Sequence, residues 1–292
     1  MQKLIITPIV HLEITSSCDA NCPGCWGPPR EIENRSLNDF KHTIEKLKLF
    51  GLTRIILTGG EPTLVSKIDE FIEYAKKELG LDVVLQTNGA NLVKLMPKIA
   101  PYLDTIAISL EASSPEKDFR RGQRGFERSI NSIKYVLEKY PQIKLKVGTC
   151  VFKQNFGDLE SIGNLLLKLG YDKKIKENES IWKLYQIRRL GKGENDPILD
   201  TMLIETSDFN GEVDRLKEKF SGKIKITREA NDTVNPEVIV RPNGEVIITA
   251  SEKNKDEVLT QHNLFDNLNA TLKEILIAQN REKYLQKLEE NS

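Results

Sequence analysis

Ile9-Val-His-Leu-Glu-Ile-Thr15, followed almost at once by Cys18-Asp-Ala-Asn-Cys22-Pro-Gly-Cys25-Trp26, is the stretch whose reading decides the fold of this chain. The first part has the apolar alternation of a β-strand, and its polar members His11, Glu13 and Thr15 share one face. The second part crowds three thiols into one loop, with three and then two residues between them. That set suits three irons of a [4Fe-4S] cube and leaves the fourth iron open. A structural zinc site is the competing reading, but it wants four N or S ligands, usually in two pairs. The remaining candidates, Cys150, His11, His42 and His262, lie outside the loop. A disulfide would suit a secreted protein, and nothing else marks the chain as one.

Outward from the loop, 292 residues suffice for one α/β barrel-type domain with a C-terminal appendage. Basic and acidic residues balance at 43 each, so electrostatics gives no reason to expect nucleic acid or an anionic membrane as partner. Met1 to Val10 carries one Lys and no long apolar core, so no signal peptide is expected. No apolar run approaches the ~18 residues of a membrane span. Three of the four cysteines stand in the loop, which points to the reducing cytoplasm.

Helix and strand signals then alternate. Ser36 resembles an N-cap for a helix ending at Gly51, and Arg54 to Thr58 is a short β-branched strand followed by Gly59-Gly60-Glu61-Pro62. The pattern predicts a helix over Ser66–Leu79, a strand over Val83–Thr87, a helix over Leu92–Ile99 and a strand over Thr105–Ser109. After a polar loop, Ala112 to Gly125, it predicts helix Phe126–Tyr140, strand Leu145–Phe152, helix Phe156–Leu169 and strand Trp182–Ile187. Six such units imply parallel strands with right-handed crossovers. The expectation is α/β, a partial (β/α)6 TIM-like barrel over 1–193, with the chemistry at the C-terminal ends of its strands. A doubly wound open sheet is the alternative. Residues 194–292 read as a small α+β extension covering the barrel: a helix from Thr206 to Phe220, short strands, a hairpin turn at Asn243-Gly244, and a helix from Ala270 to Glu289.

Cys-x3-Cys-x2-Cys after the first strand, Gly-Gly-Glu-Pro after the second and Ser109-x-Glu111 at the end of the fourth resemble the radical S-adenosylmethionine (radical SAM) enzymes. The resemblance covers about Ile9 to Gly193. It implies that Cys18, Cys22 and Cys25 hold one [4Fe-4S] cluster, whose open iron chelates the amino and carboxylate groups of S-adenosyl-L-methionine. An external low-potential donor such as flavodoxin or ferredoxin supplies an electron. The cosubstrate then breaks to methionine and a 5′-deoxyadenosyl radical, which takes a hydrogen atom from the substrate.

The resemblance also implies roles for residues. Gly59 and Gly60 suit close approach of backbone to the cosubstrate, and Glu61 its ammonium. Ser109 and Glu111 match the pair that reaches the methionine carboxylate and the ribose. Arg120 or Arg121 binds the carboxylate as a bidentate fork, the sequence not choosing between them. Thr87-Asn88-Gly89 matches the third-strand turn, and Asn155 a polar residue near the ribose. The family commonly has an aromatic residue before its third cysteine to pack near the adenine. Here Gly24 stands there, and Trp26 either supplies that wall or packs the loop.

On the sixth strand Trp182, Leu184, Gln186 and Arg188 share one face and Lys183 and Tyr185 the other. Gln186 and Arg188 are the favoured substrate contacts, being polar and near the strand's C-terminus. Cys150 is either a buried apolar thiol or a hydrogen-atom relay, and one cysteine cannot build a second cluster. The substrate is expected to be a small molecule. Modification of a ribosomal peptide and viperin-like action on a nucleotide are the alternatives within catalysis. A metal-binding or electron-transfer protein without catalysis is the alternative outside it.

Overall fold

The computed structural model describes residues 8–172, 180–189, 191–193, 195–232, 237–249, 257–259, 263–267, 270–272 and 274. Their elements, in chain order, are β1 (Ile9–Glu13), α1 (Leu37–Leu49), β2 (Arg54–Thr58), α2 (Ile68–Lys77), β3 (Asp82–Thr87), α3 (Leu92–Ile99), β4 (Thr105–Ser109), α4 (Gly122–Lys139) and β5 (Lys144–Val151). There follow α5 (Leu159–Lys168), β6 (Ile181–Gln186), α6 (Thr206–Lys219), β7 (Lys225–Glu229), β8 (Val238–Val240), β9 (Val246–Thr249) and β10 (Glu257–Leu259). They divide into two compact units. One is Met1–Ser17, Pro28–Leu85 and Val234–Ser292; the other is Cys18–Gly27 and Gln86–Thr233.

In the first unit β1 lies between β2 and β8 and is parallel to both, while β2 pairs in parallel with β3. Val10, Leu12, Ile55, Leu57, Val83 and Leu85 are fully buried in its core, each contributing about 1.5–3 kcal/mol relative to exposure. α1 begins where a capping box fixes it: Ser36 Oγ accepts the Asp39 N–H and the Asp39 carboxylate accepts the Ser36 N–H. The Asn243-Gly244 turn closes the antiparallel hairpin β8–β9, with Gly244 at φ +90°. β10 pairs antiparallel with β9, a strand the sequence pattern did not predict.

In the second unit β4, β5, β6 and β7 pair in parallel in that order. One face of β5 and β6 is packed on helices. Trp182 is fully buried and meets Phe220, at the end of α6, edge to face with centroids 6.3 Å apart. Gly163 of α5 has no side chain because a Cβ there would come within 2.5 Å of Phe220 and 3.1 Å of Trp182. Trp182 Nε1 donates to Thr149 Oγ1 at 2.9 Å, so Thr149, Trp182 and Leu184 all look toward the helices. By alternation the opposite face carries Lys146, Gly148 and Cys150 of β5 and Lys183 and Tyr185 of β6. Register sets Cys150 beside Tyr185 and Tyr185 beside Glu229.

One difference from expectation has a local cause. α4 starts at Gly122 rather than Phe126, because the buried Arg121 side chain ties the helix start to Asp118, to the Ser109 carbonyl and to Ser129 Oγ. β7 and β8, expected as short strands of the C-terminal extension, pair in parallel with β6 and with β1 respectively. Of the expected helix Ala270–Glu289, residues 270–272 and 274 are helical, and the rest lies outside the described residues.

Candidate functional site

In the first unit Gly59-Gly60-Glu61 grips the strand end that leads to Cys18. The Gly60 N–H donates to the Thr15 carbonyl at 2.7 Å and the Glu61 N–H to that of Ser17 at 2.8 Å. Neither glycine tolerates a Cβ: at Gly59, with φ +117°, it would lie 2.5 Å from Thr15 O, and at Gly60 2.1 Å from Ser17 O. Glu61 is buried and accepts both the Thr63 N–H and hydroxyl, at 3.0 and 2.5 Å.

In the second unit the cysteine loop is held from several elements. N–H groups donate to two of its sulfurs, from Ala20 to Cys18 Sγ and from Gly27 to Cys25 Sγ, each at 3.4 Å. Asn88, in the turn after β3, donates to Cys18 Sγ at 3.7 Å and to Asp19 at 3.0 Å, while Thr87 Oγ1 accepts the Gly89 N–H. Asp19 also pairs with Arg128. These two contacts hold its carboxyl below the ordinary range although burial works the other way. A crevice of about 270 Å³ opens beside the loop, lined by Asp19, Asn21, Asn88, Arg121, Arg124 and Arg128 among others.

Arg120 is the hinge between the loop and β4. It donates from Nη1 to Glu111 Oε1 at 3.1 Å, from Nε to the Pro23 carbonyl at 3.0 Å and from Nη2 to that of Gly24 at 3.4 Å. Glu111 Oε2 accepts the Cys150 N–H at 2.8 Å. Both side chains of the pair are less than 10% exposed, at 9% and 6%. Burial pushes the Glu111 carboxyl up, against the pull of Arg120 and Arg121. Arg121 is committed differently, to Asp118 and to the start of α4. Asn155 locks the ends of two strands, donating to the carbonyls of Glu111 and Cys150 and accepting the Phe152 N–H.

The profile of the Radical SAM superfamily matches residues 12–166, more than half of the chain. The chain belongs to the radical SAM superfamily. The S-adenosylmethionine-dependent nucleotide dehydratase of Flammeovirga pacifica is 29% identical over 266 residues, 84% of each protein. The Fe-coproporphyrin III synthase of Methanosarcina barkeri is 30% identical over 165 residues, 54% of this chain and 41% of that protein. Streptococcus suis SuiB, in a crystal structure bound to S-adenosylmethionine, matches with a TM-score of 0.68 at 15% identity, over 91% of this chain and 65% of SuiB. At that identity the likeness carries the fold alone. The fold is the α/β partial barrel of radical SAM enzymes, not the doubly wound alternative, and the chain is a radical SAM enzyme.

Radical SAM enzymes use a [4Fe-4S] cluster and S-adenosyl-L-methionine, and the cysteine loop fits the cluster. All four cysteines are free, which removes the disulfide alternative. Among the described residues no three His, Cys, Asp or Glu side chains close around a single metal ion. Burial pushes the Cys22 thiol up to about 11, with Arg120 opposing, so cluster assembly must displace its proton.

The remaining residues singled out from sequence divide by face. Gln186 lies on the helix side, where its amide is used up: Nε2 donates to the Ile204 carbonyl at 2.9 Å and to Thr206 Oγ1 at 3.1 Å, and Oε1 accepts the Asn231 N–H. Arg188 pairs with Glu229 at 2.6 Å. Cys150 stands half-buried on the open face against Phe152 and its apolar neighbours, and burial pushes its thiol up to about 12. Trp26 is half-buried. Sequence reasoning named Lys183 and Tyr185 as the other face but favoured Gln186 and Arg188, and passed over Lys146 and Glu229. The signal that would have chosen between the faces is Trp182: the largest aromatic on β6 marks its helix-packed face, leaving Lys183 and Tyr185 to the other.

Proposed function

We propose that this radical SAM enzyme takes a hydrogen atom from an anionic, nucleotide-type small molecule. The observation that carries the reading is the charge on the open face of β5–β7. Lys183 Nζ and Arg188 Nη2 lie 2.5 and 2.6 Å from the two oxygens of Glu229. Lys146 and Lys183 both sit over the Tyr185 ring, at 5.4 and 4.6 Å from its centroid. The carboxyl is held low by Lys183, Arg188 and Lys146 in spite of its burial. Two cations, Lys183 and Arg188, thus share one carboxylate in a half-buried place, and that excess favours an anionic group from outside. Tyr185, flanked by ammonium groups, offers an aromatic surface beside that charge. The dehydratase relative, named for nucleotides, supports the same substrate class.

In this reading Cys18, Cys22 and Cys25 hold the cluster. Asn88, Ser109, Glu111 and Arg120 serve the cosubstrate, with Arg120 rather than Arg121 closest to the loop. When bound, the cluster and cosubstrate supply the 5′-deoxyadenosyl radical, and the protein's part is to hold the substrate beside it. A flavodoxin or ferredoxin in the cytoplasm is the electron source. No described helix is long and apolar enough to cross a membrane.

The test is anaerobic incubation of the reconstituted protein with dithionite, S-adenosylmethionine and CTP, UTP, GTP or ATP in turn, with products read by mass spectrometry. One nucleotide should raise 5′-deoxyadenosine well above the substrate-free level and itself be converted. Lys183→Met should weaken that response about 10- to 100-fold, the loss of one charge-assisted contact. Four nucleotides without effect would refute the reading.

A further inference from the structure

The segment after β6, Gly191-Lys192-Gly193 with Asp196, is laid along the back of the cysteine loop, and the geometry points to it as a positioning clamp for the third cluster ligand. The inference rests on the family assignment and is independent of the nucleotide reading. Gly193 N–H donates to the Cys25 carbonyl at 2.8 Å and Lys192 N–H to that of Gly27 at 2.9 Å. Lys192 Nζ reaches Asn21, between the first two cysteines. Asp196 Oδ2 accepts the Gly24 N–H at 3.4 Å, while its own N–H is bonded to the Gly193 carbonyl. Four contacts therefore join Lys192, Gly193 and Asp196 to both sides of Cys25.

The glycines are dictated by this approach. A Cβ on Gly191, whose φ is +58°, would stand 2.1 Å from the Trp26 carbonyl oxygen. One on Gly193 would stand 2.8 Å from Gly24 Cα and 3.1 Å from the Cys25 nitrogen. All of these obstacles are backbone, which cannot swing aside as a flexible side chain does. No spacing rule makes such a requirement of a loop 165 residues downstream of the cysteines, so the glycines answer to the tertiary contact.

The clamp acts on the cluster through a hydrogen bond. Gly27 donates its N–H to Cys25 Sγ at 3.4 Å, and its carbonyl is the acceptor for Lys192. The Cys25 carbonyl, held by Gly193, and the Gly27 carbonyl, held by Lys192, flank the peptide that carries this N–H and restrict its orientation, and hydrogen bonds to cluster sulfurs help set the reduction potential. Freed from the clamp, the loop would hold iron less completely, and the cluster that does form would have a lower potential and a changed spectrum.

The experiment is anaerobic reconstitution of Gly191→Ala, Gly193→Ala and Asp196→Asn, with iron content, the electron paramagnetic resonance spectrum of the dithionite-reduced cluster and its midpoint potential as readouts. Far-UV circular dichroism of the apo-proteins controls for folding. Gly211→Ala in α6, where a Cβ meets nothing within 4 Å, is the control substitution. The expected result is wild-type circular dichroism with iron at least about halved in both glycine variants, from the four of one cube. Asp196→Asn should keep its iron and shift the spectrum and potential, and Gly211→Ala should match wild type. Full iron, an unchanged spectrum and an unchanged potential in the glycine variants would overturn the inference. Should those variants fail to fold, Asp196→Asn decides alone, and a wild-type spectrum and potential there would overturn it.

Discussion

Glu111→Gln removes one charge from a buried pair and leaves the other in place. Glu111 makes two contacts, one from each carboxylate oxygen, to Arg120 at 3.1 Å and to the Cys150 N–H at 2.8 Å. A glutamine accepts at one oxygen, so it keeps one contact at most, and the Arg120 guanidinium is left with the carbonyls of Pro23 and Gly24. Stranding a buried charge costs about 3–5 kcal/mol. Because those two carbonyls remain, we expect the low end, about 2–4 kcal/mol. Arg120→Met should cost less, about 1–3 kcal/mol, since Glu111 can take up a proton and keep its bond from Cys150. The double variant should fall short of the sum by at least about 1 kcal/mol, as residues in one network do. Urea unfolding of the reduced apo-proteins measures all four states. Additive single effects within about 0.5 kcal/mol would refute the idea that Glu111 and Arg120 act as a pair.

Three further outcomes are expected. Glu229, held below its ordinary 4.5 by Lys183 and Arg188 against burial, should add stability above 4.5 that fades as pH falls toward its folded value; Glu229→Gln should flatten that acid limb in urea unfolding. Cys18→Ala, Cys22→Ala and Cys25→Ala should each lose the cluster by iron analysis, whereas Cys150→Ala, whose thiol is kept protonated by burial, should retain it. Gly60→Ala, with a Cβ 2.1 Å from the Ser17 carbonyl, should destabilise by about 1–3 kcal/mol, seen as a lower unfolding midpoint, while Gly157→Ala, which meets nothing within 4 Å, should not.

Local signals in the sequence carried a long way. The N-cap at Ser36 and the turn at Asn243-Gly244 depend on residues within a few positions of one another, and each stands in the structure as read. Long-range choices were not legible. Alternation on β6 offers two faces; the bulk of Trp182 hints at the packed one, and its partner Phe220, 38 positions on, settles it. Glu229, which organises Lys183 and Arg188, stands on β7, and nothing near it in sequence marks it. Asn155 is singled out by resemblance to a polar residue near the ribose, and its structural role was not legible. Its amide is spent on three backbone groups of β5 and the segment after β4.

Gly24 shows how a departure from a family pattern follows from packing elsewhere in the chain. Its φ of +60° is a conformation that costs a side-chain-bearing residue about 1–2 kcal/mol. A Cβ would also approach Leu199 to 2.6 Å and Ile187 to 3.2 Å. Leu199 sits in a short helical turn, Pro197–Thr201, whose start is capped by Asp196, and Ile187 follows β6 directly. Both are fully buried or nearly so. The space that a side chain at position 24 would take is therefore filled from the segment that also supplies the clamp on Cys25. An aromatic residue at position 24 and the Asp196–Leu199 turn are alternatives, and this chain has taken the second. The same carboxylate that caps the turn accepts the Gly24 N–H, so the backbone freedom that a glycine brings to the loop is given up again through that contact.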